Sequence, residues 1–420
     1  MLLTLIFLIL VLSLLIIFFL PRYNYQALRF FSILGPAIIL ILSAVLLISF
    51  DTNSYYFQYL VTYELNFSLV NFSCSFGLDG LSVLFFLLSN FLIFLCIIFV
   101  WNEPLLKDYV INLLIIDLLL LLIFSALDIF IFYIFFEAIL IPMFMIIGVW
   151  GSRERKVHAV YLFFFYTLST SLLMLLGIVY IFTVTGTLNV EHLLTWNFTF
   201  EEQCALWLSF FFSFASKIPL FPFHIWLPEA HVEAPTVGSV LLAGILLKMG
   251  VYGFLRFSLP LFPEASLFFS PIIYLLSCVG IIYASLTATR QTDLKRIIAY
   301  SSVAHMNLVT LGVFSFNSVG IQGSILQSIS HGFVSGAMFF LIGILYSRYH
   351  SRLLFYFAGL VHVMPLYSVL FLIFTMANIA LPGTSSFIGE FLILCGVFTI
   401  NPLFCFFSAL GVIFCGSYSL

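Results

Sequence analysis

The sequence predicts an all-α polytopic membrane protein. Hydrophobic residues make up 64% and charged residues only 7% of its 420 residues, and the mean hydropathy is +1.24. A soluble domain could not cover its surface with so few charges. The apolar residues form runs of about 20, the length of a helix that crosses the hydrocarbon core of a bilayer. The expected partner is therefore the lipid bilayer, and the net charge of −3 gives no basis for binding nucleic acid.

Thirteen apolar runs separated by short polar segments predict about thirteen transmembrane helices. The first run lacks a basic n-region and a small-residue cleavage site, so we expect a retained helix rather than a signal peptide. Proline interrupts the seventh run and, at Leu381-Pro382-Gly383, the twelfth, so both are expected to be broken helices. The predicted helices lie at residues 2–20, 30–50, 81–101, 110–127, 129–149, 159–184, 205–231, 234–256, 267–288, 294–316, 319–347, 365–400 and 402–419.

The basic residues predict the orientation of these helices. Segments after odd-numbered helices hold most of the arginines and lysines, for example Arg153, Arg155 and Lys156, whereas segments after even-numbered helices are mainly acidic. Basic loops stay on the cytoplasmic or matrix side of a membrane. The N-terminus is therefore expected on the opposite side.

The two interrupted helices also indicate an internal repeat. We expect an N-terminal three-helix segment at 1–109, a first five-helix unit at 110–256 and a second at 267–420, each unit with its fourth helix broken. An odd number of helices per unit inverts the second unit relative to the first. In many secondary transporters, broken helices of such inverted repeats form an ion site near the bilayer midplane.

One stretch, 211–249, combines apolar character with many polar and helix-breaking residues. They include Lys217, Pro219, Pro222, His224, Pro228, Glu229, His231, Glu233 and Lys248. A lysine at the centre of a membrane helix costs roughly 3 kcal/mol, so it usually faces a polar interior. Lys217 is expected beside the helix break, either as a proton carrier or as a donor to carbonyls that the break frees. Glu229 and Glu233 are expected to be solvated near the inner surface.

Six ionisable residues lie well inside predicted helices, and Asp117 and Asp128 add acids in the fourth helix and at the start of the fifth. The six are Glu137, Lys217, Lys248, His305, His331 and Glu390. A single buried histidine is often only a packing residue with satisfied hydrogen bonds. Two acids and two lysines facing lipid, however, would cost on the order of 10 kcal/mol together. The set is therefore expected to be paired inside the bundle, where carboxylates, lysines and histidines can pass protons.

The sequence contains no recognisable metal or redox motif. The seven cysteines are scattered without a CxxC pair and are expected to be small core residues. His224 and His231 would share a helix face only if the helix continued between them, and they lack the HExxH spacing of a zinc site. We therefore expect no metal and no redox chemistry in this chain.

Five segments resemble the antiporter-like subunits of respiratory complex I, and the resemblance runs from about Gly77 to the C-terminus. They are FYIFFEAILIPMF, SKIPLFPFHIWLPEAHVEAPTVGSVLLAGILLKMG, RQTDLKRIIAYSSVAHMN, SHGFVSGAMFF and NIALPGTSSFIGEF. The resemblance implies a proton-translocating subunit of NADH:ubiquinone oxidoreductase in the inner mitochondrial membrane. It implies no cofactor in this chain, with FMN, iron-sulfur clusters and ubiquinone in other subunits. The implied partners are other membrane-arm subunits, especially neighbouring antiporter-like ones.

The resemblance also implies roles for individual residues. The implied roles are an interacting pair (Glu137 and Lys217), a central relay (Lys248, His305 and His331) and a distal exit group (Glu390). Separately from the resemblance, His224 and His231 are candidates for an access path. An acid at Glu390 favours one class of these subunits over a longer class that carries lysine there. Asp117 matches none of the family's core residues. The family's usual fourteenth helix is not found before the sequence ends.

Two other functions stay open at this point. A subunit of a multi-subunit cation/proton antiporter, or a bacterial homologue of the complex I subunit, would carry the same lysines and glutamate. A structural membrane scaffold would use the charges only to hold its helices together.

Overall fold

The computed structural model describes residues 2–66, 71–101 and 103–419. Its chain forms two compact units, Met1–Trp150 with Leu175–Asn197 and Gly151–Met174 with Phe198–Leu420. Ten helices of the described part are long and apolar enough to cross a membrane, and two further apolar helices are shorter. The prediction of a helical membrane protein is confirmed. Helices lie in each of the thirteen predicted stretches, but the number of crossings, the inverted repeat and the division at 1–109, 110–256 and 267–420 stay predictions.

The first unit consists mainly of apolar helices, of which α2 packs on α1 and α3, and α4 on α1 and α3. Asp79 and Ser82 form a capping box that starts α3, which satisfies backbone N–H groups that a helix start leaves free. The elements are α1 (Leu2–Phe19), α2 (Tyr25–Ile48), β1 (Gln58–Asn66), β2 (Asn71–Leu78), α3 (Gly80–Phe99), α4 (Leu106–Ser125), α5 (Ile129–Ala138), α6 (Leu140–Trp150), the last part of α7 (Lys156–Thr185) and α8 (Val190–Leu193).

A β-hairpin replaces the loop that the sequence analysis places between the second and third helices. Strands β1 and β2 pair antiparallel, with Val61 opposite Phe76. The N–H of Leu127 donates to the carbonyl oxygen of Ser75 at 3.0 Å, so β2 is tied to the link between α4 and α5. Strands this short have a weak sequence signal beside long apolar helices, and the hairpin was not predicted.

The second unit is built around the stretch Thr236–Leu261, in which residues 237–254 are all buried. In this unit α16 packs on α19 and α15, and α14 packs on α15 and α20. The elements are the first part of α7, α9 (Phe200–Lys217), α10 (Trp226–Glu233), α11 (Thr236–Leu241), a π-helical segment (Leu242–Leu246), α12 (Leu247–Gly253), a second π-helical segment (Phe254–Ser258), α13 (Leu259–Leu261), α14 (Pro263–Thr289), α15 (Leu294–Val313), α16 (Ser318–Tyr349), a 3₁₀ helix (Leu354–Phe357), α17 (Leu360–Val363), α18 (Pro365–Asn378), α19 (Ser385–Phe398) and α20 (Pro402–Ser419).

Candidate functional site

Both proline-containing stretches are broken helices, as the sequence predicts. The first break separates α9 from α10, and the second separates α18 from α19. Side chains satisfy backbone carbonyls at both breaks: Asn307 Nδ2 donates to the Pro219 oxygen at 3.3 Å, and the Ser386 hydroxyl donates to the Ala377 oxygen. A break inside a membrane helix is tolerated under this condition.

Lys217 is the last residue of α9, directly before the first break. It is 2% exposed, and its Nζ lies 5.9 Å from the centroid of the Phe163 ring, within the range of a cation–π interaction. Trp226 closes the other side of the break by donating its Nε1–H to the Ser216 oxygen at 2.9 Å. The structure therefore places a buried lysine at the break.

Lys248 lies between the two π-helical segments and is fully buried. Its Nζ donates to the Ala243 oxygen, which belongs to the first π-helical segment. A π-helical turn shifts the normal hydrogen bonds of an α-helix and often marks a functional position. The same Nζ lies 2.8 Å from Nδ1 of His331 on α16, so Lys248 is linked directly to a histidine of the predicted relay.

His305 and Glu390 form a buried pair between α15 and α19. His305 Nδ1 lies 3.0 Å from Glu390 Oε1, with side chains 8% and 5% exposed. Gln327 also donates its Nε2–H to Glu390 Oε1, at 2.9 Å. The ring centroids of His305 and His331 are 5.7 Å apart. Four predicted relay residues thus follow one another across the unit in the order Lys248, His331, His305 and Glu390.

A second buried cluster surrounds the end of α10. Lys295 Nζ donates to the Ala234 oxygen at 2.8 Å, and Arg352 donates to the Val232 oxygen. The last carbonyl oxygens of a helix have no hydrogen-bond partner within the helix and attract cations. Here Lys295 of α15 and Arg352 of the segment after α16 are those cations. Lys295 and Arg352 are 1% and 2% exposed, and they hold the second half of the broken helix in place.

One expectation about α10 is wrong, and the condition under which His224 and His231 would share a helix face is not met. Glu233 is 2% exposed rather than solvated, because the end of α10 is buried under these cations. His224 lies in the break, before the first residue of α10, so it does not share a continuous helix with His231. His231 is fully buried and stacks on Phe339 with ring centroids 4.8 Å apart.

The remaining acids lie in the first unit. Glu137 is near the end of α5, and both its carboxylate oxygens are buried. Asp117, in α4, is 1% exposed, and Asp128 accepts the N–H groups that start α5. Glu137 and Lys217 belong to different compact units, so their pairing stays a prediction.

Sequence reasoning missed three residues that organise this region. Nothing in the sequence marks Gln327 as a partner of Glu390, because glutamine is common on the polar face of a helix. Lys295 and Arg352 occur among other basic residues near predicted helix ends, which is typical of exposed surface residues. Only their buried contacts with α10 distinguish them.

The chain is similar to known proteins over most of its length. Residues 126–415 match the sequence model of the family described as NADH:quinone oxidoreductase/Mrp antiporter, TM. NADH-ubiquinone oxidoreductase chain 4 of Chondrus crispus is 54% identical over 409 residues, which cover 96% of this chain and 82% of that protein. The protein of the same name from Arabidopsis thaliana is 53% identical over 413 residues, which cover 98% of this chain and 83% of that protein.

A bacterial relative and a solved structure are also similar. NADH-quinone oxidoreductase subunit M of Rhodobacter capsulatus is 48% identical over 358 residues, which cover 82% of this chain and 70% of that protein. A chain in the structure of respiratory complex I from Thermus thermophilus with bound NADH is 32% identical. The superposition of the two chains has a TM-score of 0.88 and covers 100% of this chain and 87% of the chain from Thermus thermophilus.

Proposed function

We propose that this chain, which belongs to the NADH:quinone oxidoreductase/Mrp antiporter family, is a proton-translocating membrane subunit of respiratory complex I, the counterpart of its relatives named chain 4. Quinone reduction in other subunits would supply the energy. One observation carries the proposal: Lys248, His331, His305 and Glu390 are consecutive buried neighbours, and each can bind a proton.

The geometry supports proton transfer along this sequence. Lys248 and His331 are within hydrogen-bond distance, and so are His305 and Glu390. Both histidines, with Gln327, line a cavity of about 10 Å³, which is about the minimum size for one water molecule. A proton held by Lys248 can therefore reach Glu390 through groups that each bind and release one proton. We place Lys217 and Glu137 before this sequence, and His224 and His231 on the path by which protons enter.

The same proposal implies the cofactor content, the neighbouring subunits and the location of this chain. The chain would hold no cofactor, with FMN, iron-sulfur clusters and ubiquinone in other subunits, and it would lie beside other antiporter-like subunits of the membrane arm. The algal and plant relatives named NADH-ubiquinone oxidoreductase chain 4 favour the inner mitochondrial membrane. The distribution of basic residues favours an N-terminus on the intermembrane-space side.

The family description also covers cation/proton antiporters, and isolation of the native assembly separates the two functions. We expect this chain, isolated from its own membranes with mild detergent, to co-purify with an NADH-oxidising flavoprotein. The readouts are flavin absorbance and NADH oxidation by the isolated assembly. A stable assembly that contains this chain but neither flavin nor NADH oxidation would contradict the proposal and favour an antiporter.

The predicted role of Glu137 is tested by two substitutions. Glu137→Gln should lower proton pumping strongly, because the predicted Glu137–Lys217 pair would lose its negative charge. A carboxylate about 4 Å from an ammonium group contributes on the order of 4 kcal/mol at an effective dielectric near 20. Glu137→Asp keeps the charge and should retain part of the activity. Equal pumping by the two assembled variants would show that charge at this position is irrelevant.

A further inference from the structure

A groove runs along the exposed face of α2 in the first unit. Its volume is about 570 Å³, which is within the range of sites that hold small organic ligands. Gln26, Arg29 and Trp101 line one end, and the rest is lined by apolar side chains of α2, among them Phe30, Leu34, Ala37, Ile38 and Ile41. Phe30 and Ile41 are 61% and 62% exposed. The groove is therefore open to the surroundings from its polar end to its apolar end.

The length of the groove matches one leaflet of a bilayer. Arg29 and Ile41 are separated by about 18 Å along the helix at a rise of about 1.5 Å per residue, and half of the hydrocarbon core of a bilayer is about 15 Å thick. Helix α2 is long and apolar enough to cross a membrane, and Arg29 lies in its second turn. The polar end of the groove therefore lies at the level of the lipid head groups, and the apolar end reaches toward the bilayer midplane.

Contacts with Trp101 hold Arg29 at the polar end of the groove. Arg29 Nη2 donates to the Trp101 oxygen at 2.9 Å, and the guanidinium carbon lies 5.1 Å from the centroid of the Trp101 ring, within the range of a cation–π interaction. A guanidinium has five N–H donors in a planar fork that fits a phosphate group, so it can hold Trp101 and a phosphate together. Tryptophan is itself typical of the membrane–water interface. This end thus combines a fixed positive charge with a residue suited to the head-group region.

We propose that this groove binds one phospholipid of net negative charge, with the phosphate at Arg29 and one acyl chain along α2 as far as Ile41. Basic groups at the ends of membrane helices attract anionic head groups, and the apolar part of the groove covers the chain. A transmembrane helix of another subunit fits this face less well, because such helices pack through small residues and most of the residues that line the groove are large. The site goes beyond the proton relay, because all of its residues belong to the first unit.

Photo-crosslinking tests the site in the assembled complex. The native assembly that contains this chain is placed in phosphatidylcholine vesicles with a trace of phosphatidylglycerol or phosphatidylcholine that carries a diazirine on the same acyl chain. Mass spectrometry of α2 peptides after illumination measures the label. We expect phosphatidylglycerol to label residues 30–41 about fivefold more than phosphatidylcholine, the effect of one basic side chain near the head groups. Equal labelling by the two lipids would overturn the proposal.

Arg29→Gln tests the contact with the phosphate. Glutamine keeps a polar side chain but has no charge, so the preference for phosphatidylglycerol should disappear and its labelling should fall to that of phosphatidylcholine. Arg22→Gln is the matched control, because Arg22 also lies near the start of α2 but is 71% exposed and pairs with Asp108 at 3.2 Å. A preference that survives in Arg29→Gln, or that is lost equally in Arg22→Gln, would contradict the proposed position of the phosphate.

Ala37→Trp tests the position of the acyl chain, because an indole at this site would fill the middle of the groove. Labelling by both lipids should fall several-fold, and the purified complex should retain less anionic phospholipid, as counted by mass spectrometry after lipid extraction. This count also detects a resident lipid that does not exchange with the vesicle. Val45→Trp is the control, at an exposed position of α2 outside the groove. If Ala37→Trp changes neither the label nor the retained lipid, the groove holds no phospholipid and the proposal is wrong.

Discussion

Replacing Glu390 with glutamine is expected to abolish proton pumping in a complex that still assembles. Glutamine keeps the shape of the side chain and an oxygen that can accept from Gln327 Nε2, which now lies 2.9 Å from Glu390 Oε1. It cannot take up a proton, so His305 loses the carboxylate that lies 3.0 Å from its Nδ1. The loss of an essential proton carrier typically costs on the order of a hundredfold or more. Acidification of vesicles energised with NADH measures the effect.

Glu229→Gln is the matched control for this experiment. Glu229 pairs with Arg296 at 2.8 Å, and both side chains are about one-third exposed, at 32% and 33%. Such a pair near the surface contributes less than about 1 kcal/mol, so this variant should pump at close to the normal rate. Normal pumping by an assembled Glu390→Gln complex would remove Glu390 from the mechanism.

Replacing Lys248 with methionine or arginine is expected to produce two inactive complexes for different reasons. Methionine fills a similar volume without a charge, so it removes the proton carrier and leaves the Ala243 oxygen without the donor seen here. Arginine keeps the positive charge but does not release its proton in a protein. The two variants together therefore separate a need for charge from a need for a proton that can leave. Pumping and NADH oxidation measured on equal amounts of assembled complex would show this.

Lys295→Met is the control for the Lys248 variants. Lys295 is another buried lysine whose Nζ donates to a backbone oxygen, but it holds the end of α10 rather than contacting His331. Its loss should lower the amount of assembled complex, because a buried acceptor without its donor costs about 1–3 kcal/mol, while pumping per assembled complex stays near normal. Pumping by Lys248→Arg at the normal rate would show that Lys248 acts through its charge alone.

Properties that depend on local sequence could be read without a structure. The lengths of the apolar runs predict a helical membrane protein, and the prolines between Lys217 and Trp226 and at Pro382 predict where two helices break. The cost of burying charge predicts that Lys248 and Glu390 lie inside the bundle, and both do. Each of these predictions depends only on neighbouring residues and on the apolar interior of the bilayer. This is because a helix pairs the N–H and C=O groups of its own backbone within a few residues.

Which buried groups meet was decided by the packing of helices that are distant in the chain. Lys248 contacts His331 across a separation of 83 residues, and His305 meets Glu390 because α15 and α19 pack on each other and on α16. The rotation and crossing of each helix decide these contacts, and hydrophobic periodicity is a weak guide to rotation where helices are apolar on every side. The same packing buries Glu233 and sets Lys295 against the end of α10, in a sequence context typical of exposed charges.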